Sequence, residues 1–141
     1  MRVEDMMSSA RCCREEDSVR DVARVMRDEN IGFVPICNEK NEPVGAVTDR
    51  DLVIRVLAEG RSGEEQVSSC MTRDVVATQS GDDVRTAMRL MRDERKSRIM
   101  VCDDQGRLQG VISLADVADV ESEEEAGETL QQVKSDRPTA H

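Results

Sequence analysis

Apolar positions recur along this chain with two periods. Val19, Val22, Ala23 and Met26 fall on one helical face, with Arg20, Arg24 and Arg27 turned away; Val84, Ala87, Met88 and Met91 repeat that face. Short apolar runs follow each helix, at 33–37 and 44–48 and again at 98–102 and 108–113. The intervening segments 38–43 and 103–106 are rich in turn residues, so each pair of runs reads as a hairpin. Helices are predicted after the hairpins, over 49–59 and 114–120. Upstream, 3–7 and 67–71 read as matching helical lead-ins, each followed by a short strand, near 11–13 and 75–77. Asp17 and Asp82 stand where helix N-caps belong. Asn30-Ile31-Gly32 closes the first long helix, with Gly32 as its stop.

The two halves overlay. Residues 19–52 lie over 84–117 at an offset of 65 without a gap, and ten of these 34 positions are identical. Cys37 returns as Cys102, Gly45 as Gly110 and Asp51 as Asp116. Duplication on this scale means two copies of one supersecondary unit. The predicted fold class is mixed α/β: two β-α-β-β-α repeats packed about a pseudo-twofold axis, giving two related clefts. Repeat one takes residues 1–62, repeat two 63–120, and 121–141 is read as an acidic, disordered tail. A repeat of about 60 residues buries too little surface to stand alone, so the halves must share a core.

Composition narrows the chemistry. With one Phe, no Trp or Tyr and eight Met, the core is aliphatic and sulfur-filled. The formal charge is −10; the tail holds six acids against two bases (−4), which leaves −6 on the body. An acidic body gains nothing from counterion release, which argues against nucleic-acid binding. No apolar run approaches the ~18 residues of a membrane span, and the start lacks an apolar signal core, so the expected location is cytoplasmic. The five Cys are odd in number, no Cys-x-x-Cys occurs and the one His is the last residue, a poor set for structural zinc.

Enzyme constellations fail on the same inventory: no usable His, no Gly-x-Ser-x-Gly and no Gly-rich phosphate loop with Lys. The recurring motif is different. Gly45-Ala-Val-Thr48-Asp-Arg-Asp51 matches Gly110-Val-Ile-Ser113-Leu-Ala-Asp116 where a strand passes into a helix. A hydroxyl beside free backbone N–H groups suits a phosphate. An Asp one turn on can accept two hydrogen bonds from a diol such as ribose. Ser/Thr-x-x-Asp is also the capping box that closes a helix N-terminus. The two readings are not exclusive.

The lead-in ending in Met, the amphipathic helix, Ile31-Gly32-Phe33-Val34-Pro35-Ile36-Cys37 and Gly45-x-x-Thr48-Asp49-Arg50-Asp51 resemble a CBS domain. Residues 67–120 resemble a second, and the pair is similar to a Bateman module, as found in small stand-alone bacterial CBS-pair proteins without a catalytic domain. The resemblance implies a non-catalytic regulatory module, with adenosyl ligands (AMP, ADP, ATP or S-adenosylmethionine) in clefts between the repeats. It implies phosphate at Thr48 and Ser113, and ribose at Asp51 and Asp116. The purine would lie against Val34, Pro35, Ile99 and Met100, with backbone near 10–12 and 75–77 reading its edge. Arg98 and Lys96 would add positive charge. Met100 in place of Pro35 and Arg98 in place of Phe33 make the two clefts unequal.

Three functions compete: an adenosyl-ligand sensor needing no cofactor, a ligand-free dimerisation scaffold, and a redox-responsive protein using Cys12, Cys13 and Cys37. A homodimer is expected, since short amphipathic elements leave apolar faces uncovered and paired modules are common in the resembled family. A regulated protein partner is expected without being named; nucleic acid and membrane are not. Cys13 and Cys37 belong to one repeat, and a disulfide between them is the expectation of the redox reading. The bland alternative is small buried hydrophobes in a reducing compartment.

Overall fold

The structure, a computed structural model, describes residues 1–118. Helix α1 spans Val3–Met6 and α2 Val19–Glu29; strands β1 (Phe33–Cys37) and β2 (Pro43–Thr48) follow, then α3 (Asp49–Leu52), which runs directly into a π-helical turn over Val53–Leu57. A 3-10 turn at Val67–Ser69 leads to β3 (Ala77–Gln79), α4 (Val84–Glu94), β4 (Arg98–Cys102), β5 (Leu108–Ser113) and α5 (Leu114–Val117). The mixed α/β class is as predicted. The expected end of α5 at 120 and the acidic tail lie outside the described residues.

The chain divides into two compact units, and these do not follow the repeat boundaries 1–62 and 63–120. Residues 10–75 with 106–108 form a hairpin unit; 1–9, 76–105 and 109–118 form a three-stranded unit. Each lead-in therefore belongs to the unit built around the other repeat's strands.

In the hairpin unit β1 and β2 pair antiparallel, Val34 opposite Val47 and Ile36 opposite Gly45. One further residue is bonded on each edge. Cys13 bridges Ile36 in parallel and Thr72 bridges Ala46 antiparallel, the latter through two bonds of 2.9 Å. The strand expected at 11–13 is thus reduced to one bridge residue. It goes no further because Asp17 Oδ2 accepts the Arg14 N–H at 2.8 Å and turns the chain. Val22 and Met26 of α2 pack on Val34, Ile36, Val47, Leu52, Val56, Val67 and Met71.

The three-stranded unit repeats the plan. β3 runs parallel to β4, Ala77 opposite Met100, β5 lies on the other side of β4, and Ser8 bridges Val111 at the far edge. Val3, Val84, Ala87, Met88, Met91, Ile99, Val101 and Ile112 form its core. Each fully buried aliphatic side chain stabilises by about 1.5–3 kcal/mol, against about 1 kcal/mol for a helix cap. The two cores, not the caps, hold the units.

Helix starts depart from expectation by one residue, and the end of α2 by two. The N-caps are Ser18 and Asp83, not Asp17 and Asp82. The two predicted aspartates close the turns just before the helices instead: Asp82 Oδ2 accepts from Gln79 N–H at 2.9 Å and from the buried Thr78 hydroxyl at 2.8 Å. Gly32 is not the left-handed stop. Asn30 and Arg95 take that conformation, at φ 54° and 58°. Gly32 is small for another reason: a Cβ there would lie 2.8 Å from Asp49 Oδ2.

Candidate functional site

The strand-to-helix junction is built the same way twice. Thr48 Oγ1 accepts the Asp51 N–H at 3.2 Å, and Asp51 Oδ2 accepts the Thr48 N–H at 2.8 Å. Ser113 and Asp116 repeat both bonds at the same lengths. Both motifs are therefore capping boxes. Capping leaves chemistry over: each carboxylate retains Oδ1, and each hydroxyl retains its hydrogen. All four residues are half-buried.

The expectation of free backbone donors at both junctions does not hold. In the hairpin unit Asp49 N–H donates to Gly32 O at 3.0 Å, Arg50 N–H to Asp49 Oδ1 at 2.8 Å and Asp51 N–H to Thr48 Oγ1. The first three helical donors are all engaged. In the three-stranded unit Leu114 N–H donates to Ser97 O at 2.9 Å and Asp116 N–H to Ser113 Oγ. Leu114 has no side-chain oxygen to offer Ala115, so the bond made by Asp49 has no counterpart there.

The motif's glycines serve packing. A Cβ on Gly45 would lie 2.3 Å from Thr72 O and 2.4 Å from Met71 Cε; on Gly110 it would lie 2.4 Å from Ser8 O. Both are the sites where a lead-in segment runs against the strand. The recurrence of glycine and of lead-in at similar spacing is the trace that this contact leaves in the sequence.

Two matches to the family model described as CBS domain cover residues 3–58 and 67–123. The chain belongs to the CBS-domain family. It is 32% identical over 114 residues to the CBS domain-containing protein YhcV of Bacillus subtilis, covering 80% of each chain. It is 37% identical over 102 residues to protein MK0525 of Methanopyrus kandleri, covering 72% of this chain and 52% of that one, about half the relative's length. Among solved structures, the conserved CBS domain protein TA0289 of Thermoplasma acidophilum superposes with a TM-score of 0.81 at 20% identity, over 96% of this chain and 77% of that one. The cytosolic domain of the Mg2+ channel MgtE, solved in complex with ATP, gives a TM-score of 0.72 at 27% identity, over 82% of this chain and 47% of that one.

The CBS repeats distribute the other predicted ligand residues unevenly. Val34 and Ile99, 0% and 1% exposed, sit inside the hydrophobic clusters of their units. They contribute to the cores rather than to an open purine-facing surface. Pro35 and Met100, next along their strands, are buried but belong to neither cluster. They lie on the opposite face by strand alternation. Phe33 is the register partner of Thr48, and its counterpart at offset 65, Arg98, is exposed at the start of β4. Asp51 Oδ1 has a nearby cation, Arg55 Nε at 3.7 Å; the residue matching Arg55 in the second repeat is Val120.

None of the five cysteines is in a disulfide. The predicted Cys13–Cys37 disulfide fails on register: Cys13 stands opposite Ile36 and joins it in the core, while Cys37, one residue on, faces the other way. Burial pushes the Cys13 thiol up to about 11, with Asp17 adding to the shift. Burial also raises Cys70 and Cys102, and suppressed thiolates are poor nucleophiles. Cys12 and Cys13 line an open groove of about 360 Å³ in the hairpin unit with Arg11, Asp17, Asp21, Arg24, Val25 and Asp28. Arg11 and Cys12 belong to the segment expected to read the purine edge; Thr48, Asp51, Val34 and Pro35 do not line the groove. Among the described residues no group of three or more His, Cys, Asp or Glu is placed to hold a metal, and no helix is long and apolar enough to cross a membrane.

Proposed function

We propose that this chain is a non-catalytic regulatory module that binds an adenosyl ligand at its strand-to-helix junctions, without a resident cofactor, in the cytoplasm. The observation that carries the reading is the pair of Thr/Ser–Asp boxes on two CBS repeats, each with a carboxylate oxygen and a hydroxyl hydrogen left for a ligand. Asp51 and Asp116 would take the ribose diol, Thr48 and Ser113 a phosphate, and Pro35 and Met100 the purine. The ATP held by the MgtE cytosolic domain supports this class of ligand. A bound ligand would act by favouring the conformation that holds it, and its differential affinity sets how far it can shift a partner's equilibrium.

A ligand-free scaffold is the second reading. It is favoured by the finding that both boxes and both glycines have sufficient reasons in folding alone. Thermal unfolding separates the two. A ligand at 100 times its dissociation constant adds about 2.7 kcal/mol of stability, so AMP, ATP or S-adenosylmethionine at millimolar concentration is expected to raise the midpoint. No shift with any of the three favours the scaffold.

A further inference from the structure

We infer that the arginine-bearing face of α4, with the turn that follows it, is the docking surface for this chain's own acidic segment 121–128. The inference does not rest on ligand binding. Residues 84–96 carry Arg85, Arg89, Arg92, Arg95 and Lys96 against Asp93 and Glu94, a formal +3 on a chain of −10. The matching residues 19–31 carry Arg20, Arg24 and Arg27 against Asp21, Asp28 and Glu29, which sum to zero. Three exchanges make the whole difference: Thr86 for Asp21, Arg95 for Asn30 and Lys96 for Ile31. On α2 each arginine meets an acid, Arg20 with Glu64, Arg24 with Asp21 at 3.4 Å and Arg27 with Asp28 at 2.8 Å. On α4 Arg92 has Asp93 at 3.9 Å, and Arg89 and Lys96 form no ion pair among the described residues. Folding does not ask for this charge. Arg85, Arg89 and Arg92 share one stripe, clear of the buried Val84, Ala87, Met88 and Met91, and like charges at that spacing weaken a helix. Arg95 takes the left-handed position, at φ 58°, that Asn30 holds in the first repeat, where asparagine is the better residue.

Charge and tether select the occupant. Outside residues 84–96 the chain sums to −13 (−10 less +3), so a free polyanion is attracted at this face and repelled by the remainder. A single exposed ion pair contributes little; the occupant needs several charges and a high local concentration. Residues 121–128 carry five glutamates and no base. They follow α5 closely, and Leu114 and Val117 of α5 lie in the same core cluster as Val84, Ala87, Met88 and Met91 of α4. The eleven residues from Val117 to Glu128 can span up to roughly 36 Å, against about 16 Å from Arg85 to Lys96 along the helix. The tether supplies a millimolar local concentration, which neither a free acidic peptide nor a nucleic acid has. Docked there, the segment neutralises the face and withholds it from other polyanions.

Zero-length crosslinking and proteolysis of the full chain test this. Carbodiimide joins a lysine to a carboxylate only at direct contact, and the chain has three lysines, Lys40, Lys96 and Lys134. Lys96 is expected to link to a glutamate within 121–128. In an equal mixture of isotope-labelled and unlabelled chains, both halves of that crosslink are expected to carry the same label. Cleavage after Glu128 by a glutamate-specific protease is expected to be about tenfold faster in Arg85→Glu with Arg89→Glu than in wild type. Both residues are exposed, so the far-ultraviolet circular dichroism should be that of wild type. Adding Glu124→Arg and Glu125→Arg to that variant is expected to restore the slow cleavage, and Arg24→Glu on α2 to leave it unchanged. No link from Lys96 into 121–128, a link between differently labelled chains, equal cleavage of wild type and the double variant, no recovery in the charge swap, or the same acceleration in Arg24→Glu would each overturn the inference.

Discussion

The two strand-to-helix junctions share a backbone and differ in charge. At the first, Thr48 and Asp51 are surrounded by ions: Asp49 caps the Arg50 N–H, and Arg55 stands 3.7 Å from the carboxylate oxygen that capping leaves over. At the second, Leu114 and Ala115 replace Asp49 and Arg50, Val120 stands where Arg55 does, and Arg98, exposed at the start of β4, replaces Phe33. The first junction has satisfied most of its own polar groups. At the second, position 114 offers no side-chain oxygen to the Ala115 N–H. Identical hydrogen-bond lengths at the two boxes therefore do not require equal binding under the proposed reading: the capping geometry is what folding requires, and a ligand would read what surrounds it. On this account the Ser113–Asp116 junction is the stronger for a phosphorylated adenosyl ligand.

The largest predicted effects are those in which the junctions should agree. Gly45→Ala and Gly110→Ala each drive a Cβ into backbone oxygen, at 2.3 and 2.4 Å. Each is expected to cost about 3 kcal/mol in urea unfolding, at the upper end for overpacking. Gly81→Ala, with nothing within 4 Å, is expected to stay within about 0.5 kcal/mol. A tolerated Gly45→Ala beside a disruptive Gly110→Ala would break the equivalence of the two scaffolds.

The hairpin unit carries Cys13 opposite Ile36; at the matching register position the other unit carries Thr78, opposite Val101. A thiol raised from 9.0 to about 11 keeps its proton in the folded state while the unfolded chain loses it. Its contribution is full below pH 9, falls between pH 9 and 11, and amounts to roughly 2–3 kcal/mol. Stability measured against pH in wild type and Cys13→Ala should diverge over that window. Parallel curves would remove the thiol from the account.

The ligand effects come next. Asp116→Ala is expected to lower ATP affinity by about 1.5–3 kcal/mol, and Asp51→Ala by less, although each loses a cap and about 1 kcal/mol of stability. Equilibrium dialysis against labelled ATP distinguishes them; equal losses would contradict the ranking. The smallest effects sharpen it. Arg98→Ala should weaken ATP by about 1 kcal/mol and leave an unphosphorylated adenosyl compound unchanged, and Arg55→Ala should strengthen binding at Asp51 by about 0.5 kcal/mol. The same dialysis measures both; ATP and the unphosphorylated compound weakened alike by Arg98→Ala would end the charge argument.

Much of this was legible in the chain. The helical faces of α2 and α4, the hairpin strands and the two boxes follow from periodicity and from the offset of 65. What escaped were matters of one residue or of distant contact. Asp17 and Asp82 have the chemistry of caps, and only the turn that each closes shows why Ser18 and Asp83 cap instead. Cys13 and Cys37 share a sheet edge, but a register one residue away from pairing them puts their side chains on opposite faces. The assignment of each lead-in to the other repeat's unit left a trace in Gly45 and Gly110, whose lack of a side chain has a reason only once Thr72 and Ser8 are beside them. Val34 and Ile99 were implied as purine contacts by the family resemblance, and strand alternation puts them in the cores.

The central claim is that an adenosyl ligand occupies the Ser113–Asp116 junction. Isothermal titration of ATP into wild type and Asp116→Ala tests it most directly. The account predicts saturable heat with wild type at millimolar ligand or below, and at least a tenfold loss of affinity in a variant that still unfolds cooperatively. No heat with wild type, or an unchanged isotherm in Asp116→Ala, would contradict it.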